Sequence, residues 1–391
     1  MVAPFMPDDE KLAAVRDALP AVRAGIYLNT PVAGPLPAET AASMSEIAGW
    51  ELTTGRAHRD RRGDVLARID EARGAAAAVL TADIDDVLIA RGYDDALAKA
   101  LRTVELRAGD QVAVARGEHI ARIEALLPRG VETVWVEPAT DGAPALSATL
   151  AGGGVRLVAL PLVSGVTGAR APIEAMARAA HDGGAAVLVD VSLAVGAVAV
   201  DREALGADLL VTRSEAWLLG PEGLAVLAGR RDRLALLGDD EGFGERSTDS
   251  PQPVGFHLPS VVGFGRSCGW LSMYVGLGWI HARGAALTAR ASERLRAIDG
   301  VEVLTPEDAM ATVIVFRIAE WPVDVALDEL GARVFALASS VPALDAIRIG
   351  LGFFNTEDEV DRFASAVELL ARHTPATIPQ RQRLTVIGTG A

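Results

Sequence analysis

The chain has 391 residues, of which 50% are hydrophobic, and a formal net charge of −15 at pH 7. This acidity disfavours nucleic acids and anionic membranes as partners, because binding to either depends on clustered lysine and arginine. The single cysteine, Cys268, excludes a disulfide within the chain and a cysteine-based metal cluster. We therefore expect a cytoplasmic protein, with no targeting segment and no membrane span.

The first part of the chain is predicted to be mainly helical. Apolar residues at three- and four-residue spacing indicate helices over 8–24 and 37–52, separated by a short strand and the loop-like stretch "GIYLNTPVAGPLP". The segment "RRGDVLARIDEARGAAAAVL" predicts a further helix. We assign residues 1–30 to an N-terminal arm that belongs with a small domain.

Beyond Val87, short apolar runs alternate with helical stretches. The runs are "DVLIA", "QVAVA", "VETVWV", "RLVALPLV", "AAVLVDV", "LLVTR" and "LAVLA". This alternation indicates parallel strands joined by helices, in a sheet that is covered on both faces. Residues 31–255 are therefore predicted to form a large α/β domain.

The pattern changes again near Ser250. A glycine-rich helical run from Val261 to Arg296 is followed by the strand-like segments "VEVLTP", "ATVIVFRI" and "AIRIGLGFF", which alternate with predicted helices at 323–336 and 357–372. Residues 256–391 are predicted to form an interdomain helix and a small α+β domain.

Ligands of open parallel sheets bind at the carboxyl ends of the strands. The candidate site residues therefore lie in the segments that follow the predicted strands, which are Arg91–Asp94, Gly117–His119, Ser164–Gly168, Asp190–Leu193 and Arg213–Ala216.

The order of these segments resembles the fold-type-I pyridoxal-phosphate (PLP) enzymes, specifically the class V aminotransferase and cysteine desulfurase family. The resemblance runs from "YLNTPVAGPLP" through "LVSGVTGARAPI" and "VLVDVSLAVGAVAV" to "IRIGLGFFNTEDEVDRF". It implies the fold-type-I aminotransferase architecture, a large domain with a mostly parallel sheet and a small α+β domain. It also implies a homodimer with pockets between the subunits.

Three positions match the chemistry that the resemblance implies. Asp190 corresponds to the aspartate that pairs with the pyridine nitrogen of PLP, and His119 to the histidine that stacks on the pyridine ring. Arg348 corresponds to the arginine that binds the substrate carboxylate through two hydrogen bonds.

Other positions depart from the family pattern. The family's phosphate-binding turn becomes Gly92-Tyr93-Asp94, where an aspartate would repel a phosphate. The family's "S-G-H-K-W" becomes Arg213-Ser214-Glu215-Ala216-Trp217, so Ala216 replaces the lysine that carries the cofactor. Three further contacts are lost at Gly165, Leu193 and Leu258. The chain's two lysines, Lys11 and Lys99, both lie in predicted helices.

From these departures we predict an enzyme that has kept the pocket and works without PLP. Its substrate would be a small, amino-acid-derived carboxylate, and the reaction a lyase, hydrolase, cyclase or isomerase step of bacterial specialised metabolism. The scattered histidines and the single cysteine predict no metal site. The predicted catalytic residues are Glu215, His119, Asp190 and Tyr93. The predicted substrate-binding residues are Arg348, Arg213, Asp94, Asn29 and Trp217.

Two alternative functions remain open. The chain could be a non-catalytic subunit or ligand-binding relative of an active enzyme, or it could bind PLP or pyridoxamine phosphate non-covalently through Asp190 and His119. Structural roles also remain open for single residues. Arg213 and Glu215 could form an ion pair, and Asp94 could cap the helix that follows it.

Overall fold

The computed structural model describes residues 6–57, 59–137, 142–237 and 255–380. Its α-helices are α1 Asp8–Ala18, α2 Ala38–Thr54, α3 Arg61–Leu80, α4 Tyr93–Arg102, α5 Gly142–Leu150, α6 Ile173–Asp182, α7 Arg202–Leu205, α8 Arg231–Leu234, α9 Leu258–Gly269, α10 Leu277–Arg296, α11 Val323–Val334 and α12 Glu357–Ala371.

The strands are β1 Ile26–Tyr27, β2 Val87–Ala90, β3 Gln111–Ala115, β4 Glu132–Val136, β5 Val155–Pro161, β6 Ala186–Asp190, β7 Leu209–Arg213, β8 Ala225–Gly229, β9 Val301–Val303, β10 Val313–Ile318, β11 Ala336–Leu337, β12 Ser339–Val341 and β13 Ala346–Gly350. No helix among the described residues has the length and hydrophobicity needed to cross a membrane.

The main sheet has seven strands in the order β2-β8-β7-β6-β5-β3-β4. Strands β3 to β7 pair in parallel, whereas β8 runs antiparallel to both of its neighbours, β7 and β2. Every residue of β6 and β8 is buried, as expected for a sheet that is covered on both faces. The predicted α/β fold with a mostly parallel sheet is confirmed.

A second sheet has four antiparallel strands in the order β12-β13-β10-β9. It contributes to a separate hydrophobic cluster together with α11 and α12. The short strand β1 pairs in parallel with β11, which ties the N-terminal segment to this second layer. The exact domain boundaries stay predictions, and residues 1–5, 238–254 and 381–391 of the predicted domains lie outside the described residues.

Several elements differ from the sequence prediction. The first helix ends at Ala18, not at residue 24, because Pro20 lacks an N–H group and disfavours helical geometry at Leu19. The predicted helical run over 261–296 is interrupted at Gly276, whose φ is +88°. The segment His119–Leu126 forms a 3₁₀ helix, which places His119 at its first residue.

Helix α12 begins at a capping box. The Thr356 hydroxyl accepts a hydrogen bond from the Glu359 amide, and the Glu359 carboxylate accepts one from the Thr356 amide, both at 3.1 Å. We expect Thr356→Ala to lower the free energy of unfolding by about 1 kcal/mol, because one donor of the helix N-terminus loses its partner. Urea denaturation measures this change, and an unaltered midpoint would contradict it. Thr356→Ser, which keeps the hydroxyl, is the control.

Candidate active site

The predicted site residues converge where several strands of the main sheet end. Tyr93 begins α4 after β2, His119 follows β3, Asp190 is the last residue of β6 and Arg213 the last residue of β7. Parallel strands bring their carboxyl ends to one edge of the sheet. Residues that are far apart in sequence therefore meet there.

Tyr93, His119 and Asp190 form the centre of this site. The Tyr93 hydroxyl donates a 2.7 Å hydrogen bond to Asp190 Oδ2, and the Tyr93 ring lies 4.5 Å from the His119 ring at an angle of 55°. Asp190 Oδ1 accepts a second hydrogen bond from the Ser192 amide at 2.8 Å. Tyr93 and Asp190 are buried, whereas His119 is exposed.

The environment shifts the protonation of two of these groups. Burial raises the pKa of the Tyr93 phenol well above its usual range, and the Asp190 carboxylate adds to this shift. Partial desolvation lowers the pKa of His119, and the neighbouring Arg213 lowers it further. At neutral pH we therefore expect a neutral phenol and a neutral imidazole at the centre of the site.

Arg213 and Glu215 form an ion pair beside this centre. Arg213 Nη1 lies 3.1 Å from Glu215 Oε1, and Arg213 Nη2 donates to the Pro31 carbonyl at 3.1 Å. Arg213 Nε is buried and has no hydrogen-bond partner among the described residues. The ion pair that the sequence analysis considered is thus present, and the Nε donor of its guanidinium is left buried without a partner among the described residues.

The N-terminal loop closes over the turn that follows β7. The Gly34 amide donates a 2.7 Å hydrogen bond to the Glu215 carbonyl, and a Cβ at Gly34 would lie 2.5 Å from the Ala216 carbonyl oxygen. Two predicted substrate-binding residues, Asn29 and Trp217, lie on these two segments. Asn29 Oδ1 and Trp217 Nε1 are both buried without a partner among the described residues.

Arg348 approaches the site from β13. Its Nη1 donates to the Gly165 carbonyl at 2.9 Å and its Nε to the Ser339 hydroxyl at 3.2 Å. Burial lowers the pKa of Arg348, as does the positive charge of Arg213 nearby. Two guanidinium groups held close together in a partly dry site favour an anionic ligand.

Glu118 is a site residue that the sequence analysis missed. Its carboxylate accepts hydrogen bonds from the Ser164 hydroxyl at 2.5 Å and the Gly165 amide at 2.8 Å, and burial raises its pKa. A Cβ at Gly165 would lie 3.3 Å from Arg348 Nη1 and 3.4 Å from Glu118 Oε2. The sequence feature that could have identified Glu118 is its place directly before His119 in "GEHI", as a second ionisable residue after the same strand.

Asp94 lies at the edge of the site and outside its buried centre. Its side chain is about half exposed and binds both Nε and Nη2 of Arg122, at 2.7 Å for Nε. This hydrogen bonding lowers the pKa of the Asp94 carboxyl. The suggested cap is not formed, because Gly92 occupies the N-cap position and Asp94 is the second residue of the helix.

Ala216 is completely buried in the turn after β7. The two lysines of the chain each have a partner, since Lys99 Nζ donates to Asp95 at 2.7 Å and Lys11 Nζ lies 4.9 Å from the Trp279 ring centroid. Within the described residues, no cluster of three or more histidine, cysteine or acidic side chains could hold a metal ion.

Comparison with known proteins identifies the family. The model of the family Aminotransferase class-V matches residues 26–363. A cysteine desulfurase of Klebsiella pneumoniae is 29% identical over 341 residues, which cover 78% of this chain and 83% of the relative.

Solved structures share the fold. The cysteine desulfurase CsdA from Escherichia coli has a TM-score of 0.74 and 22% identity, covering 91% of this chain and 97% of that one. A lysine-to-alanine mutant of C-DES, which has glycine covalently linked to its PLP cofactor, has a TM-score of 0.80 and 18% identity, covering 90% of this chain and 98% of that one.

These comparisons contradict the prediction of a cofactor-independent enzyme. The relatives are named cysteine desulfurases, and the C-DES structure carries PLP. The prediction gave too much weight to the departures from the family pattern at Gly92–Asp94 and Ala216. Asp190 and His119, which correspond to groups that hold the pyridine ring in the family, lie together in the site.

Proposed function

The chain belongs to the class V aminotransferase family, and from this membership we propose that it is a PLP-dependent enzyme that holds its cofactor without a covalent bond. Its substrate would be a small, amino-acid-derived carboxylate. The observation that carries the proposal is the contact of both Asp190 and His119 with one aromatic ring. The absence of a covalent bond is proposed from the sequence alignment, which puts Ala216 at the position of the family's lysine.

Tyr93 indicates the position proposed for a pyridine ring, which its own side chain fills in this structure. A six-membered aromatic ring already lies against His119 and directs a polar atom at Asp190. The same surroundings could receive the ring of PLP, with Asp190 facing the pyridine nitrogen. Arg213, whose Nε is unpartnered among the described residues, is the proposed cation for the cofactor phosphate.

When bound, PLP supplies an electron sink for bonds at the α-carbon of an amino acid. Asp190 would keep a proton on the pyridine nitrogen, and His119 would hold the ring by stacking. Arg348 would bind the substrate carboxylate, assisted by Asn29 and Trp217 on the two segments that meet at Gly34. Glu215 is proposed to accept the α-proton in place of the family's lysine, and His119 to exchange protons with solvent.

Spectroscopy tests the proposed cofactor. An absorbance spectrum from about 300 to 500 nm is recorded before and after addition of PLP, followed by borohydride reduction and intact-mass measurement. We expect a protein-bound absorption band of PLP and no mass increase after reduction, because Ala216 has no amine. A stable adduct would contradict non-covalent binding, and the absence of any bound band would overturn PLP dependence.

The role of Glu215 is tested by Glu215→Gln, which removes the basic carboxylate but keeps its size. We expect exchange of the α-proton of bound amino acids with D₂O, followed by NMR over a panel of L-amino acids, to slow about 100-fold. The exposed Glu222, in the same loop, provides the control variant Glu222→Gln, which should exchange at the normal rate. Full exchange by Glu215→Gln would exclude Glu215 as the base.

We also propose the homodimer and the cytoplasmic location that the sequence predicted. The resemblance supports the first, and the acidic composition is compatible with the second. Light scattering coupled to gel filtration measures the dimer directly. A monomer at micromolar concentration would contradict the proposed subunit arrangement.

A further inference from the structure

Tyr93 occupies the place in which the proposed function requires a cofactor ring. Its phenol ring packs against His119 at a tilt of 55°, with 4.5 Å between the centroids, and its hydroxyl donates to Asp190 Oδ2 at 2.7 Å. A pyridine ring bound through the same two residues would need the same contacts. The side chain and the cofactor ring therefore cannot occupy this position together.

The charges around Tyr93 support the same conclusion. Asp190 lies at its hydroxyl end, while Arg213 and Arg122 both act electrostatically on the phenol. The Asp190 carboxylate at one end suits a ring with a protonated nitrogen. Both arginines already have carboxylate partners, Arg213 in Glu215 and Arg122 in Asp94, so the charge argument rests on Asp190.

We propose that Tyr93 competes with the pyridine ring of the cofactor for the position between His119 and Asp190, and thereby sets the affinity of the protein for PLP. This inference rests on the proposed function. Binding of PLP requires the Tyr93 side chain to rotate away, which breaks its hydrogen bond to Asp190. The Asp190 carboxylate then becomes free to bind the pyridine ring. The energy of that bond is subtracted from the binding energy of the cofactor.

The experiment measures the dissociation constant of PLP by fluorescence or absorbance titration, with no need for turnover. Tyr93→Phe keeps the ring but removes the hydroxyl that binds Asp190, and we expect PLP to bind at least about tenfold more tightly. Tyr93→Ala removes the ring as well, so it should bind more tightly still. Tyr274→Phe is the matched control among the chain's three tyrosines and should leave the affinity unchanged.

A second ligand separates this inference from the proposed function. 3-Hydroxypyridine has the ring and no phosphate, and it should raise the thermal midpoint of Tyr93→Ala while leaving the wild type unchanged. If Tyr93→Ala binds 3-hydroxypyridine and no variant binds PLP, the proposed function fails and the competition at the ring position stands.

If the wild type binds PLP and both Tyr93 variants bind it no more tightly, the competition is overturned and the proposed function stands. Circular dichroism and a cooperative unfolding transition establish that each variant is folded. Should Tyr93→Ala fail to fold, Tyr93→Phe decides the question by itself, since it retains the packed ring and changes only the hydrogen bond to Asp190.

Discussion

If the chain binds PLP as proposed, Asp190→Asn is expected to weaken this binding by about 10- to 100-fold, because it removes the negative charge proposed to pair with a protonated pyridine nitrogen. Hydrogen bonds to charged groups are worth about 1.5–3 kcal/mol, and each 1.4 kcal/mol corresponds to a factor of ten in the dissociation constant. Asparagine keeps the size of the side chain and can still accept the hydrogen bond from the Ser192 amide. Titration with PLP measures the effect.

The matched variant is Asp94→Asn, which removes the same charge at the mouth of the site. Asp94 is about half exposed, pairs with Arg122 and would repel a phosphate. Its loss should therefore tighten PLP binding by about two- to fivefold, the range expected for an exposed charge. Equal weakening in both variants would mean that the result reflects total charge, with no specific role for Asp190.

Gly196→Ala is expected to lower the free energy of unfolding by about 2–5 kcal/mol. Gly196 has a φ of +84°, which costs other residues about 1–2 kcal/mol. A Cβ at this position would also lie 2.5 Å from the Trp217 carbonyl oxygen, and such overpacking adds about 1–3 kcal/mol. Urea denaturation monitored by circular dichroism measures the loss.

Gly184→Ala separates the two contributions. Gly184 has a φ of +77°, but a Cβ added there would meet no atom within 4 Å. This variant should lose only about 1–2 kcal/mol, the conformational part. If both variants lose the same amount, close packing of the turn after β6 against Trp217 contributes nothing, and the account of Gly196 is wrong.

The architecture could be predicted from sequence because it follows from local patterns. Short apolar runs such as "AVLVD" can be buried on both faces only in a sheet covered by helices, and their alternation with helical segments implies parallel pairing. The missed strands β11 and β12 have only two and three residues. Segments that short carry no periodicity, so only their partners define them.

The cofactor prediction failed for a different reason. It treated each departure from the family pattern as the loss of a function, because the sequence alone does not show which contacts are present in the folded site. Asp190 and His119 both contact the ring of Tyr93, and the comparisons find relatives named cysteine desulfurases and a solved structure that carries PLP. A local substitution removes one interaction, whereas the remaining geometry of the site is set by the sheet.

The sequence by itself determined which residues reach the edge of the sheet where the candidate site lies. The end of each strand is encoded locally, and parallel strands end on one side of the sheet. That placed Tyr93, His119, Asp190 and Arg213 in the same site. Only the tertiary structure decided how their side chains are arranged. Tyr93 and Asp190 are 97 residues apart, and Gly165 and Arg348 are 183 apart, so their contacts depend on packing between distant segments that no local pattern records.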